Sequence, residues 1–196
     1  MTFVFKIKDF ARTKALNVHK KLLKKFGERH TSEYSSYTPH ITIYQAEFPE
    51  KNEEEVLRLV QKIVEITNRI VFIPIGISSK KRYVAVNFKK TPAIAEFQEV
   101  LIKNLNPFRE GALKDMYRES FRNFEGDEQE NIQSWGYPYI FDSYSPHLTL
   151  ISLEKIEDAP EATKMIHWEQ DFEVRQVEIV VSKEGVFERV VSFDMK

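Results

Sequence analysis

The segments Pro39-His40-Ile41-Thr42-Ile43 and Pro146-His147-Leu148-Thr149-Leu150 repeat one pattern in a chain that holds only five histidines. Serine and tyrosine precede each copy, as Ser36-Tyr37 and Ser143-Tyr144. In an extended strand alternate side chains point to opposite faces, so each His-x-Thr places an imidazole and a hydroxyl on one face, about 6–7 Å apart. Ile41 and Ile43, or Leu148 and Leu150, take the other face and anchor it in a core. The leading proline suits the start of a strand, where no ladder donor is needed.

Two such strands facing each other would gather two imidazoles and two hydroxyls. That set suits a phosphodiester. The hydroxyls of Thr42 and Thr149 would bond the non-bridging oxygens. One of His40 and His147, neutral, would take a proton from the attacking water or ribose hydroxyl. The other, protonated, would donate to the leaving oxygen. An unperturbed histidine pKa of about 6.5 permits either form near neutrality. The residues alone do not say which histidine is acid and which is base.

Other chemistries fit less well. Two histidines fall short of a zinc ligand set, and no nearby acidic pair completes one, so no metal is expected. There is no G-x-S-x-G turn, and six scattered glycines make no phosphate-cradling loop. The absence of cysteine rules out disulfides and thiolate chemistry and fits a reducing compartment. A net charge of −1 gives no global basic field, which argues against a DNA duplex and for a short ligand. Apolar residues at 42% and charged residues at 30% describe an ordinary globular chain. Its 196 residues suffice for one sizeable core, or for two small lobes that share one. No apolar run approaches the ~20 residues that span a bilayer. The opening MTFVFKIKDF lacks the features of a signal peptide, so a cytoplasmic location is expected. The other histidines read as structural: His19 on the apolar stripe of a helix, His30 in a polar loop, and His167 beside Trp168.

The elements that must position the motifs follow from periodicity. Thr2 to Lys8 alternates as a strand. Ala11 to Phe26 has helical spacing and stops at Gly27. Strands are predicted over His40–Phe48, over the segment VFIPIGI with Pro74 and Gly76 marking an edge or a bulge, over Tyr83–Phe88 and over His147–Leu153. Asn52 and Glu55 resemble a capping box opening a helix that buries Val56, Leu59, Val60, Ile63 and Ile70. Thr91-Pro92 caps a helix with Ile94, Phe97, Leu101 and Leu105 inward. The chain closes with FEVRQVEIVVS, the turn KEG, and VFERVVSFDM, a hairpin. An insertion of about residues 106–146 breaks the rhythm and reads as a long loop, of a length that is usually functional or mobile. It offers a short helix near Leu113–Phe124, a polar acidic stretch EGDEQENIQS and an aromatic run WGYPYIF. A short helix near Pro160–Ile166 follows the second motif strand. Mixed strands and helices with hairpins argue α+β. The repeat argues for a single bilobed domain, with two pseudo-symmetric antiparallel sheets and flanking helices around a central cleft.

The paired PHITI and PHLTL strands resemble the His-x-Thr/Ser motifs of the two-histidine phosphoesterase superfamily, which includes cyclic nucleotide phosphodiesterases and 2′-5′ RNA ligase-like proteins. The resemblance covers most of the chain, except the insertion. It implies metal-independent, cofactor-free hydrolysis of a 2′,3′-cyclic phosphate or a 2′-5′ linkage in a small nucleotide or short RNA end. It implies catalysis by His40 and His147, and phosphate binding by Thr42 and Thr149. Ligation is the reverse reaction and needs the same residues. A non-catalytic module that binds nucleotides or RNA ends is the other alternative. A monomer is expected. Tyr44, in phase with His40 and Thr42, is expected to line the cleft. Trp135, Tyr137 and Tyr139, with Phe141, are candidates to stack on a base, worth about 1–3 kcal/mol per base; the plainer reading is that they cap an apolar surface. Lys80, Lys81 and Arg82 form one basic turn, and Arg118 and Arg122 another. Solvated positions are the plainer reading for both.

Overall fold

The computed structural model describes residues 1–28, 38–183 and 186–196, without the side chains of 182, 183 and 186–189. His30, Ser36, Tyr37 and the Glu184-Gly185 part of the closing turn lie outside the described residues.

Strand β1 (Thr2–Lys6) points Phe3 and Phe5 into the core. Helix α1 (Asp9–Phe26) buries Ala11, Ala15, His19 and Leu22, and stops at Gly27, whose N–H bonds Leu23 at 3.0 Å. Strand β2 (His40–Gln45) carries the first motif. Helix α2 (Glu53–Ile66) begins with Glu53, Glu54 and Glu55, which suit the positive end of a helix dipole. The predicted capping box does not form. Asn52 sits at the N-cap, but its amide donates to the Phe108 carbonyl at 2.8 Å and to Glu110 at 3.0 Å, fastening the insertion to α2. Leu59 is only half-buried, and Ile70 belongs to the next strand rather than to the helix.

The segment predicted as one strand divides at Ile73. Strand β3 (Ile70–Phe72) and strand β4 (Pro74–Lys80) join different sheets. Pro74 starts an edge strand, and its register with β5 (Tyr83–Phe88) shifts between Pro74 and Gly76, as their residue types required. Thr91 caps helix α3 (Pro92–Leu105) as predicted, its hydroxyl accepting from the Ile94 N–H, and Ile94, Phe97, Leu101 and Leu105 are buried. Strand β6 (His147–Ser152) carries the second motif. Helix α6 (Ala159–Lys164) and strand β7 (Phe172–Val174) follow the insertion's two helices, introduced below. Strands β8 (Gln176–Lys183) and β9 (Val186–Asp194) form the expected antiparallel hairpin, while the FEV segment before them leaves it to pair with β3.

The sheets are therefore β2-β1-β8-β9, β4-β5-β6 and the small β3-β7, all antiparallel. The α+β class is as expected, with a third sheet added. Phe5 of the first sheet, Phe72 and Phe172 of the small sheet, Phe88 of the second and Phe97 of α3 meet at ring-centroid distances of 5.1–5.6 Å. Such pairs add about 0.5–1.5 kcal/mol each beyond area burial, so one aromatic cluster joins all three sheets.

In the insertion, helix α4 (Asp115–Glu119) and a 3-10 turn (Phe121–Asn123) occupy the predicted short helix. The acidic stretch is not a loop. It forms helix α5 (Asp127–Trp135), started by Asp127, Glu128 and Glu130 and stopped by left-handed Gly136. Ile132 is its one buried residue, too little to show a periodicity. Arg109 organises this segment from the inside. It is 1% exposed, and its guanidinium donates to Asn106 Oδ1 (2.6 Å), Ala112 O (2.9 Å) and Ser134 O (3.2 Å). Among the described residues, no helix is long and apolar enough to cross a membrane.

A Cβ at Gly136 (φ +79°) would stand 2.6 Å from the Arg109 guanidinium carbon, whereas one at Gly111 (φ +77°) would meet nothing within 4 Å. Gly111→Ala is expected to cost only the left-handed backbone penalty of about 1–2 kcal/mol. Gly136→Ala is expected to cost about 1–3 kcal/mol more through overpacking. Urea denaturation of both variants checks the difference.

Candidate active site

Both motif strands are sheet edges, and β2 and β6 lie against each other. Each begins after a buried proline, Pro39 or Pro146, and each buries its aliphatic residues while Thr42 and Thr149 stay half-buried. His40 is half-buried and His147 exposed. The two imidazoles are anchored identically. Nδ1 of His40 bonds the Thr38 carbonyl at 2.8 Å, and Nδ1 of His147 bonds the Ser145 carbonyl at 2.8 Å. A carbonyl only accepts, so each Nδ1 carries hydrogen, and Nε2 is the atom that gives or takes a proton. Burial lowers the pKa of His40 below its usual 6.5. The bond to Thr38 opposes this, the charge of His147 lowers it further, and Glu178 raises it. Tyr144, flanking the second motif, donates its hydroxyl to the Thr42 carbonyl at 2.9 Å.

The motifs match in a way that their sequence does not reveal. In the β1–β2 ladder Phe3 faces Tyr44 and Val4 faces Thr42, so Ile43 is an extra residue, a β-bulge. In the β5–β6 ladder Val84 faces Ile151 and Ala85 faces Thr149, so Leu150 is the extra residue. Both bulges fall three positions after the motif histidine. Each bulged residue's carbonyl accepts from a buried side chain of a helix. Gln98 Nε2 of α3 bonds Ile43 O at 2.8 Å, and His19 Nδ1 of α1 bonds Leu150 O at 2.8 Å. His19 is thus structural, as expected.

The bulge corrects the expectation for Tyr44. Strict alternation would place it beside His40 and Thr42. The extra residue at Ile43 turns it inward instead, where it is 0% exposed, stacks on Phe3 at 5.8 Å and donates to the Trp135 carbonyl at 2.5 Å. Gln45 takes the half-buried position, its side-chain oxygen accepting from Tyr117 at 2.8 Å. Tyr137 is also core, edge-on to Tyr44 and Tyr117, so it presents no face to a base. Burial raises the pKa of both Tyr44 and Tyr137. Trp135 and Tyr139 are half-buried; Trp135 packs edge-on against Phe141 at 5.2 Å, and Tyr139 lies 5.3 Å below the Lys80 ammonium. The aromatic run mainly closes the insertion's own core.

Arg82 is engaged by the Leu153 and Glu154 carbonyls, and Arg118 by Leu113 O and Asp115. Lys81 and Arg122 are exposed. Two charged residues beside the motif were missed. Lys6 is the cross-strand partner of His40, and Glu178 interacts electrostatically with His40. The signal for Lys6 was its place in the polar phase of β1; its pairing with His40 needed the register. A cavity of about 340 Å³ opens elsewhere, beside α1, lined by Phe10, Lys14, Val18, Leu22, Met165 and His167. It holds none of the motif residues, which lie at the β2–β6 seam. Among the described residues, no group of three or more His, Cys, Asp or Glu could hold a metal ion.

Residues 46–187 match the family described as protein of unknown function (DUF1045), and the chain belongs to that family. No curated protein matches the sequence. Solved structures share the fold, two of them over the whole of this chain. One is TT0787 of Thermus thermophilus, 13% identical, covering 100% of this chain and 98% of that one, with a TM-score of 0.57. The other is E. coli LigT complexed with 3′-AMP, 12% identical, covering 100% and 94%, with a TM-score of 0.50. The fold that the motif resemblance implied is the fold observed.

Gln98→Leu would leave the Ile43 carbonyl buried without its donor, and the Phe141 N–H without the Gln98 oxygen it bonds at 3.1 Å. Expected is a loss of about 1–3 kcal/mol, the penalty for a buried unsatisfied group, read by chemical denaturation.

Proposed function

We propose that this chain is a metal-independent phosphodiesterase acting on a 2′,3′-cyclic phosphate or a 2′-5′ linkage in a small nucleotide or short RNA end. The observation that carries this reading is the pair of identically anchored imidazoles, each with a threonine on its own strand, on two edge strands in contact. That a protein of the same fold, LigT, was crystallised with 3′-AMP is consistent with a nucleotide ligand.

The half-buried environment that favours neutral His40 suits it to the base, and exposed His147 then serves as the acid. Nε2 of His40 takes a proton from water as its oxygen attacks phosphorus. The hydroxyls of Thr42 and Thr149 donate to the non-bridging oxygens as charge develops on them. Nε2–H of His147 gives its proton to the departing ribose oxygen. One P–O bond forms and one breaks, and the proton lost by water is matched by the proton gained by the leaving group. Run backwards, with the roles exchanged, the same steps make a linkage, so ligation would use the same residues.

His40→Ala and His147→Ala are each expected to lower kcat by about 10²–10⁴-fold, the usual contribution of a general acid or base, with the fold retained. The double variant should be little worse than either single one, since the pair acts as a unit. Thr42→Ala and Thr149→Ala should cost less. Turnover of 2′,3′-cyclic nucleotides and 2′-5′ dinucleotides, followed by mass spectrometry in EDTA, checks all five variants. Product in molar excess over protein separates a catalyst from a binding module. Near-normal activity in either histidine variant, or activity that EDTA abolishes and a divalent ion restores, sinks the reading.

kcat/KM against pH should be bell-shaped. Protonation of His40 removes the base, so activity falls as pH drops through its pKa. Because burial lowers that pKa, the acid limb should lie below 6.5. The alkaline limb reports loss of the acid's proton. An acid limb above 6.5 would contradict the assignment of base to His40.

A further inference from the structure

The two motifs share prolines, anchors and bulges, but they differ in one neighbour. The residue directly across from His147 is Asn87, an amide bonded to Ser78 at 2.8 Å. The residue directly across from His40 is Lys6. Directly opposed residues of an antiparallel pair share a face, with Cβ atoms about 4.5–5.5 Å apart. Lys6 therefore stands on the face that presents His40 and Thr42.

Its ammonium is held there. Glu178 lies on β8, opposite Val4, and Val4 is itself opposite Thr42, so Glu178 occupies the same face one strand beyond β1. Lys6 Nζ is 2.5 Å from Glu178 Oε1, which also accepts from Ser192 Oγ at 3.1 Å. The two side chains are 34% and 15% exposed, whereas surface pairs such as Lys103–Glu99 are 56% and 50% exposed. A lysine stem is long and flexible, and a carboxylate fixed on the neighbouring strand restricts where its charge can go.

A phosphodiester is an anion, and its non-bridging oxygens gain charge in the transition state. The His and Thr pairs supply hydroxyls and one transient cation for that charge. We propose that Lys6 is a further catalytic residue, whose permanent ammonium contacts a non-bridging oxygen of the phosphate seated between His40 and His147, with Glu178 as its positioning residue. The proposal rests on the phosphodiesterase reading. Lys6 transfers no proton and forms no covalent bond; it supplies charge. It also narrows the substrate class to anionic phosphodiesters, since an uncharged methylphosphonate of the same shape would gain little from it.

Three variants test this: Lys6→Met, Lys6→Arg, and Lys6→Met with Glu178→Gln, which leaves no orphaned carboxylate should the single variant fail to fold. Inorganic phosphate binding is measured by calorimetry, and kcat and KM with 2′,3′-cyclic AMP. Folded Lys6→Met, or the double variant, should lower kcat by about 10²-fold, as loss of one transition-state donor does, with a smaller change in KM. Phosphate affinity should fall in parallel. Lys6→Arg should recover part of both. In the wild-type protein the Lys6 ammonium resonance should shift on saturation with phosphate, a readout that needs no variant. Unchanged kcat and phosphate affinity in the folded double variant, or an unmoved Lys6 resonance, overturns the role of Lys6 while leaving the two-histidine reading intact. Lys6-dependent phosphate binding without turnover of any phosphodiester removes that reading and Lys6's catalytic role, leaving only an anion site.

Discussion

An edge strand has backbone groups that no neighbouring strand satisfies, and this molecule places two edges side by side. The geometry of the candidate site at the β2–β6 seam depends on how those edges are held. At each, a bulge interrupts the ladder, and the bulged carbonyl is received by a buried helix side chain, Gln98 for Ile43 and His19 for Leu150. The helices are exchanged. α1 follows β1 of the first sheet but serves the second motif strand, and α3 follows β5 of the second sheet but serves the first. Neither edge is complete without the other half of the chain. That exchange, together with the aromatic cluster around Phe72, holds the two sheets against each other at the β2–β6 seam.

The symmetry stops short of the charges. His40 sits half-buried with Lys6 across from it, and His147 sits exposed with Asn87 across from it. Two imidazoles with matched backbone anchors thus meet different environments, and the proposed division into base and acid rests on that asymmetry. The insertion stands apart from this logic. Its backbone folds around Arg109 and its aromatic residues pack against Tyr44, so its tyrosines reinforce the back of the first motif strand more than they widen the site.

Much of this was legible in the residues. The motif strands, α1, the Thr91-Pro92 start of α3, the edge character of β4 and the closing hairpin all follow from local chemistry and periodicity. What was not legible depended on pairing between distant segments. No glycine or proline marks the bulges at Ile43 and Leu150, so simple alternation misplaced Tyr44. The acidic run of α5 looked like a loop because a helix that buries only Ile132 shows no stripe. Asn52 looked like a cap because its amide's distant partner, the Phe108 carbonyl, is invisible locally. Lys6 was one more polar residue in a strand until the register set it against His40.

The strand order carries a consequence for how the molecule is made. β1 is an inner strand whose neighbours are β2 and β8, so Phe3 and Phe5 gain their second flank only when Val177 and Ile179 arrive. Contacts this far apart in the chain slow folding, because loop closure precedes any reward. During synthesis the Phe-rich strand β1 must wait, with one hydrogen-bonding edge open, until β8 has left the ribosome. An open apolar edge of that kind pairs readily with other chains. Early folding intermediates, rather than the finished protein, are where aggregation would begin, and chain termination before residue 176 would leave that edge permanently bare.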